Sequence, residues 1–195
     1  MIMSLQPLLA MTLKSPAQAA RALLSIQWQR QVLWTGLVLA IVLNALIYSV
    51  QELLFPMPDE VVFPRLSPLS YFVVMLIIQA VFIYGLFAAG RWLGGKGQVE
   101  DLLVVVVWLQ LLQVALQLIM TVLFLVAPVL AGLLNLGATL FGLFIFINFI
   151  NEAHQFGSIW RAFGVLIMAS ITIALALSFL LGLVEPSFLG LSANV

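Results

Sequence analysis

The sequence predicts an all-α membrane protein with five transmembrane helices preceded by a short amphipathic helix. Its N-terminus is expected inside the cell and its C-terminus outside. Hydrophobic residues make up 65% of the chain, and the mean hydropathy is +1.25. Charged residues make up 7%, against roughly 25% in a soluble domain. Because so few charges cannot cover a surface exposed to water, lipid must surround most of the chain.

Composition also excludes several classes of function. The net charge of zero gives no broad attraction to nucleic acid, so no nucleic-acid partner is predicted. The absence of cysteine excludes disulfides and thiolate metal sites. Neither a metal nor a cofactor is predicted.

The first 31 residues are predicted to form a cytoplasmic segment with one short helix. Ser15 can cap this helix, Pro16 fits its first turn, and Gln18 can complete a capping box. The helix would run to about residue 31. Two interpretations stay open: an interfacial helix held partly by Trp28, or a polar lead-in to the first span.

The membrane domain is predicted over residues 32–184, because about 20 apolar residues cross a hydrocarbon core of ~30 Å. Residues 102–150 are apolar almost throughout and would form a single helix of about 74 Å, so they must fold back. Ala127-Pro128 is the natural break, and Ser67-Pro68 resembles another helix start. The last span is followed by a short tail at 185–195. The predicted spans are 32–54, 70–92, 101–126, 129–151 and 160–184.

The basic residues predict the orientation. In a five-span arrangement only Arg65 falls on one side of the membrane, and short loops rich in Lys and Arg stay cytoplasmic. The N-terminus is therefore expected in the cytoplasm. The basic residues on the cytoplasmic side would be Lys14, Arg21, Arg30, Arg91, Lys96 and Arg161.

The polar segment of residues 90–101, here called the hinge loop, imitates a phosphate-binding loop. Gly90, Gly95 and Lys96 match the pattern, but Gly97 stands where a hydroxyl should hold magnesium, and no buried strand precedes the loop. No nucleotide is predicted. The favoured interpretation is a flexible turn whose Arg91 and Lys96 face anionic headgroups.

One face of the third span carries amides and a hydroxyl. Because such groups facing lipid would stay unpaired, they are expected to face other helices. Hydrogen bonding between helices is the favoured role, and a polar path for a small solute is the alternative. The residues are Gln110, Gln113, Gln117 and Thr121.

Small residues repeat every four positions on the fifth span. Such a ridge lets a second helix approach closely. Packing within the bundle is favoured over contact with a second copy of the chain. The residues are Ser170, Ala174, Ser178 and Gly182.

A polar cluster ends the fourth span. Glu152 and His154 are too few ligands for a metal site, and they do not share a helix face. Contact with headgroups is expected, with Glu152 pairing with Arg161 or Lys96. A membrane enzyme acting on lipid would need this cluster and is the least favoured interpretation.

The chain resembles the bacterial branch of the Yip family, the Ypt/Rab-interacting membrane proteins. The resemblance rests on Ser15-Pro16 in a short helix, five spans, the glycines of Leu93–Gly97 before Asp101, and two later segments. Those segments are Glu152-Ala153-His154-Gln155-Phe156-Gly157 and Arg161-Ala162.

The resemblance implies a five-helix domain, N-terminus inside and C-terminus outside, without known catalysis. Eukaryotic relatives bind Rab-type GTPases and shape or sort secretory membranes. The leading hypothesis is a non-enzymatic scaffold, accessory subunit or membrane organiser in a bacterial inner membrane. Its expected partners are membrane lipids and other membrane subunits or further copies of the chain. The alternative is a small-solute transporter or channel using the glutamine face.

Overall fold

The computed structural model describes residues 5–56 and 67–183, with side chains through Phe179. Within these ranges every element is helical, and five helices are long and apolar enough to cross a membrane. The predicted fold class is confirmed, while the side of the membrane on which each end lies stays a prediction. The helices are α1 (Leu5–Lys14), α2 (Pro16–Leu24), α3 (Arg30–Leu54), α4 (Pro68–Trp92), α5 (Val99–Val126), α6 (Pro128–His154) and α7 (Ile159–Leu183).

Helix starts follow the capping chemistry of the sequence. At α4, Ser67 Oγ accepts a hydrogen bond from the Ser70 backbone N–H at 3.1 Å, and Pro68 occupies the first turn. At α5, the Asp101 carboxylate accepts from the Gln98 backbone N–H at 2.9 Å, which completes a capping box. Helix α6 begins at Pro128, so the predicted fold-back lies at the expected proline.

The N-terminal segment differs from the prediction. An additional helix, α1, precedes Ser15, and α2 ends at Leu24 instead of continuing to residue 31. Ser15 occupies the N-cap position, but its side chain makes no capping hydrogen bond, so the expected capping box is wrong. The Trp28 indole N–H donates to the Leu23 carbonyl at 3.0 Å, across the break between α2 and α3.

Helices α1 and α2 pack on the bundle. Ala19, Ala20 and Leu23 of α2 are buried in the common core, and α2 lies against α6. From α5, the Trp108 indole N–H donates to the buried Thr12 hydroxyl of α1 at 3.1 Å. The segment is therefore part of the folded unit and not only a lead-in to the first span.

The membrane helices pack through small residues. In the α4–α7 contact, a Cβ added to Gly85 would lie 3.6 Å from Ala169, so these helices touch nearly backbone to backbone. Helix α3 packs along α5, where a Cβ added to Gly36 would lie 3.0 Å from Val107 Cγ1. Most residues in the first half of α6 are exposed, and Gly132, the first of its three glycines, has open space around it. The other two are Gly137 and Gly142, which are equally open.

Candidate functional site

The candidate site lies where α3, α5 and α7 begin and α4 and α6 end, here called the basic end. Helices α4 and α6 both finish there in Schellman motifs. In α4 the Gly95 N–H donates to the Gly90 carbonyl at 2.7 Å, and Gly94 takes a φ of 84°. In α6 the Phe156 N–H donates to the Asn151 carbonyl at 3.1 Å, and Gln155 takes a φ of 54°.

His154, the last residue of α6, is completely buried between these two helix ends. A Cβ added to Gly90 would overlap the imidazole ring. One added to Gly95 would lie 2.7 Å from His154 Nδ1, and one added to Gly97 would lie 2.8 Å from the same atom. We call this arrangement the glycine pocket: the His154 ring enclosed by Gly90, Gly95 and Gly97. Only residues without a side chain fit at these three positions.

Two further contacts close the glycine pocket. The Lys96 backbone N–H donates to the His154 carbonyl at 3.0 Å, which satisfies a carbonyl that the end of α6 leaves free. The Phe156 ring stacks on the imidazole, with centroids 5.1 Å apart. The hinge loop, expected to be a flexible turn, is thus docked on α6.

The imidazole itself is held by packing. Both of its nitrogens are buried without a hydrogen-bond partner among the described residues. A buried polar group left unpaired costs about 1–3 kcal/mol, so the surrounding contacts must offset that cost.

Glu152 pairs with α2. Its Oε1 lies 3.0 Å from Arg21 Nη1, so the expected pairing with Arg161 or Lys96 is wrong. This pair could not be predicted from spacing, because Arg21 and Glu152 lie 131 residues apart in the chain. At the start of α3, Arg30 lies 3.9 Å from Glu100, a second and weaker contact.

The remaining basic residues of the site face outward. Arg91, Lys96 and Arg161 are exposed, and none forms an ion pair with a described carboxylate. The carboxylates nearby are already engaged with Arg21, Arg30 and the Gln98 N–H. The basic end therefore presents uncompensated positive charge.

The polar face of α5 meets α3. The Asn44 amide donates to Gln110 Oε1 at 3.3 Å, nearer the middle of the span. Gln51 bridges two partners, donating to the Thr121 hydroxyl at 2.7 Å and accepting from the Gln117 amide at 3.1 Å. These bonds use the groups that a solute path would need.

Gln113 lies apart from this network. It is exposed on α5 and has no hydrogen bond to a described residue. The small residues on α7 do not form its contact with the bundle. Ser170, Ala174 and Ser178 are exposed, while α7 packs inward through other residues. The exposure of Gly182 lies outside the described part of the chain.

Among the described residues, no group of three His, Asp or Glu side chains could hold a metal ion. The fold and the basic end define a polytopic helical membrane protein with two extra helices packed on one end of its five-span bundle. The chain belongs to the Yip1-domain family, whose model matches residues 11–181. The family consists of non-enzymatic membrane proteins. No curated protein and no solved structure matches the chain.

Proposed function

We propose that the protein is a non-enzymatic scaffold or accessory subunit that organises membrane proteins through contacts between transmembrane helices. One observation carries the proposal: the amide of Gln113 is exposed and has no hydrogen bond to a described residue. At 1.5 Å per residue, this side chain lies about 20 Å from either end of α5. An amide left facing lipid at that depth costs several kcal/mol, whereas a helix of another chain would pair with it.

The partner is a further copy of the chain or another membrane subunit, and the exposed small ridge of α7 offers a second face of suitable shape. A solute path is not favoured, because Gln110, Gln117 and Thr121 are bonded to α3. The proposed setting is a bacterial inner membrane.

Isolation in a mild detergent tests the scaffold role. The wild type is expected to elute as a self-oligomer or with co-purifying subunits, as measured by light scattering and mass spectrometry. Gln113→Leu should dissociate the assembly without unfolding the chain. Leu118→Ile, at an exposed apolar position of the same helix, is the matched control. A monodisperse wild-type monomer without partners would contradict the proposal.

We also propose that the basic end faces the cytoplasm, which follows the rule that Lys and Arg in short loops stay inside. The chain lacks cysteine, so single substitutions report topology directly. In intact cells, an impermeant thiol reagent should label Pro56→Cys and spare Lys96→Cys until the membrane is opened. The reverse pattern would place the basic end outside.

A further inference from the structure

We propose that a groove between α4 and α7 binds one acyl chain of an anionic phospholipid, whose phosphate lies between Arg91 and Arg161. The groove has a volume of about 680 Å³. It is lined on α4 by Tyr84, Gly85, Ala88, Ala89 and Trp92, and on α7 by Met168 and Thr172. The site is independent of the proposed scaffold role.

The length of the groove fits one lipid leaflet. Its α4 wall runs from Ala80 to Trp92, which is about 18 Å at 1.5 Å per residue. One leaflet contributes about half of a hydrocarbon core of ~30 Å. The groove therefore begins at the basic end and stops near the middle of the membrane, as the path of a single acyl chain does.

Arg91 and Arg161 lie on the faces of α4 and α7 that line the groove. On α4, Arg91 lies three residues beyond Ala88 and shares its face. On α7, Arg161 precedes Met168 by seven residues, which is two turns along the same face. Gly164 contacts Leu93 of the hinge loop, with 3.4 Å from an added Cβ to Leu93 Cδ1, so the two walls reach the basic end together.

The charge of the occupant follows from these arginines. Both are exposed, and neither pairs with a described carboxylate. Guanidinium groups bind phosphate through paired N–H donors. Trp92 and Trp160 are 76% and 82% exposed at the same end, where indole rings favour the headgroup layer. An anionic phospholipid supplies both the apolar chain and the phosphate that this surface fits.

Native mass spectrometry tests the site with the full chain in detergent and added dioleoyl phosphatidylglycerol or dioleoyl phosphatidylcholine. The wild type should retain the anionic lipid preferentially. Arg91→Gln combined with Arg161→Gln should lower this preference by about tenfold or more, since one basic residue near the surface contributes about fivefold. Arg30→Gln combined with Lys96→Gln removes the same charge away from the groove and should lower it much less. Equal losses in the two pairs, or no preference in the wild type, would overturn the proposal.

A second pair of variants tests the acyl chain. Ala88→Leu combined with Thr172→Leu should fill the groove and remove the retention of both lipids. Gly142→Leu adds a side chain of the same size where α6 has open space, and it should leave the retention of lipid unchanged. Retention that persists in a folded, monodisperse groove-filled variant would show that the chain binds elsewhere and would overturn the assignment.

Discussion

Gly90→Ala is expected to lower the free energy of unfolding by about 1–3 kcal/mol, as other insertions into tightly packed cores do. The added methyl group would overlap the imidazole of His154, which is completely buried and has no open side to move towards. In detergent, the variant should unfold at a lower temperature on heating, or at a lower dodecyl sulfate concentration on titration, than the wild type. The loss is expected although helix propensity by itself favours alanine over glycine by about 1 kcal/mol.

Two further variants isolate the cause. In a His154→Ala background the ring is absent, so Gly90→Ala should cost far less, and the two changes should be strongly non-additive. Gly142→Ala, at a helical glycine with open space around it, should be neutral or stabilising. Additive losses, or equal effects at the two glycines, would mean that the glycine pocket does not hold the hinge loop on α6.

Gln51→Leu is expected to destabilise the bundle by about 1–2 kcal/mol, because it removes two interhelical hydrogen bonds at once. The Thr121 hydroxyl loses its donor and the Gln117 amide loses its acceptor, both within the α3–α5 contact. Unfolding in detergent measures this effect. Without Gln51, the Gln117 amide is left unpaired inside an apolar contact between helices, which adds to the loss of stability.

Gln113→Leu is the matched control for that measurement. It replaces the same residue type on α5 but breaks no hydrogen bond to a described residue, so its stability should equal or exceed that of the wild type when both are measured as dissociated monomers. If Gln51→Leu proves as harmless as Gln113→Leu, the bonds between α3 and α5 contribute nothing measurable to stability.

Much of the fold could be predicted because membrane helices obey local rules. The length of an apolar run fixes the number of spans, and every backbone polar group in lipid must be satisfied within a helix. Proline marked the boundary at Pro128, and Ser67 marked the start of α4, since both signals act within a few residues. These features need no knowledge of distant contacts.

The N-terminal helices could not be predicted in the same way. Helix α1 is only 10 residues long, and nothing near Thr12 in the sequence indicates that its hydroxyl is buried against Trp108 of α5. The break after Leu24 likewise depends on tertiary contacts, because the sequence from Ser25 to Gln29 contains neither glycine nor proline.

The glycine pocket was missed for a similar reason. Gly90, Gly95 and Gly97 were interpreted as turn residues, and His154 lies too far along the chain for spacing to connect them. The number of glycines was a signal, because a helix end needs one glycine for its left-handed residue, here Gly94, and the sequence supplies three more within residues 90–97. Glycines that a turn does not need indicate that another group approaches the backbone closely.

The glycine pocket also bears on biogenesis. Its walls are synthesised with the end of α4 and the hinge loop, whereas the ring that fills it belongs to the last residue of α6. A nascent chain that has emerged only as far as α5 therefore carries a glycine-rich turn with nothing to pack against. Insertion of the α5–α6 hairpin delivers the missing ring, so this junction can form only late in translation, after four of the five spans have entered the bilayer.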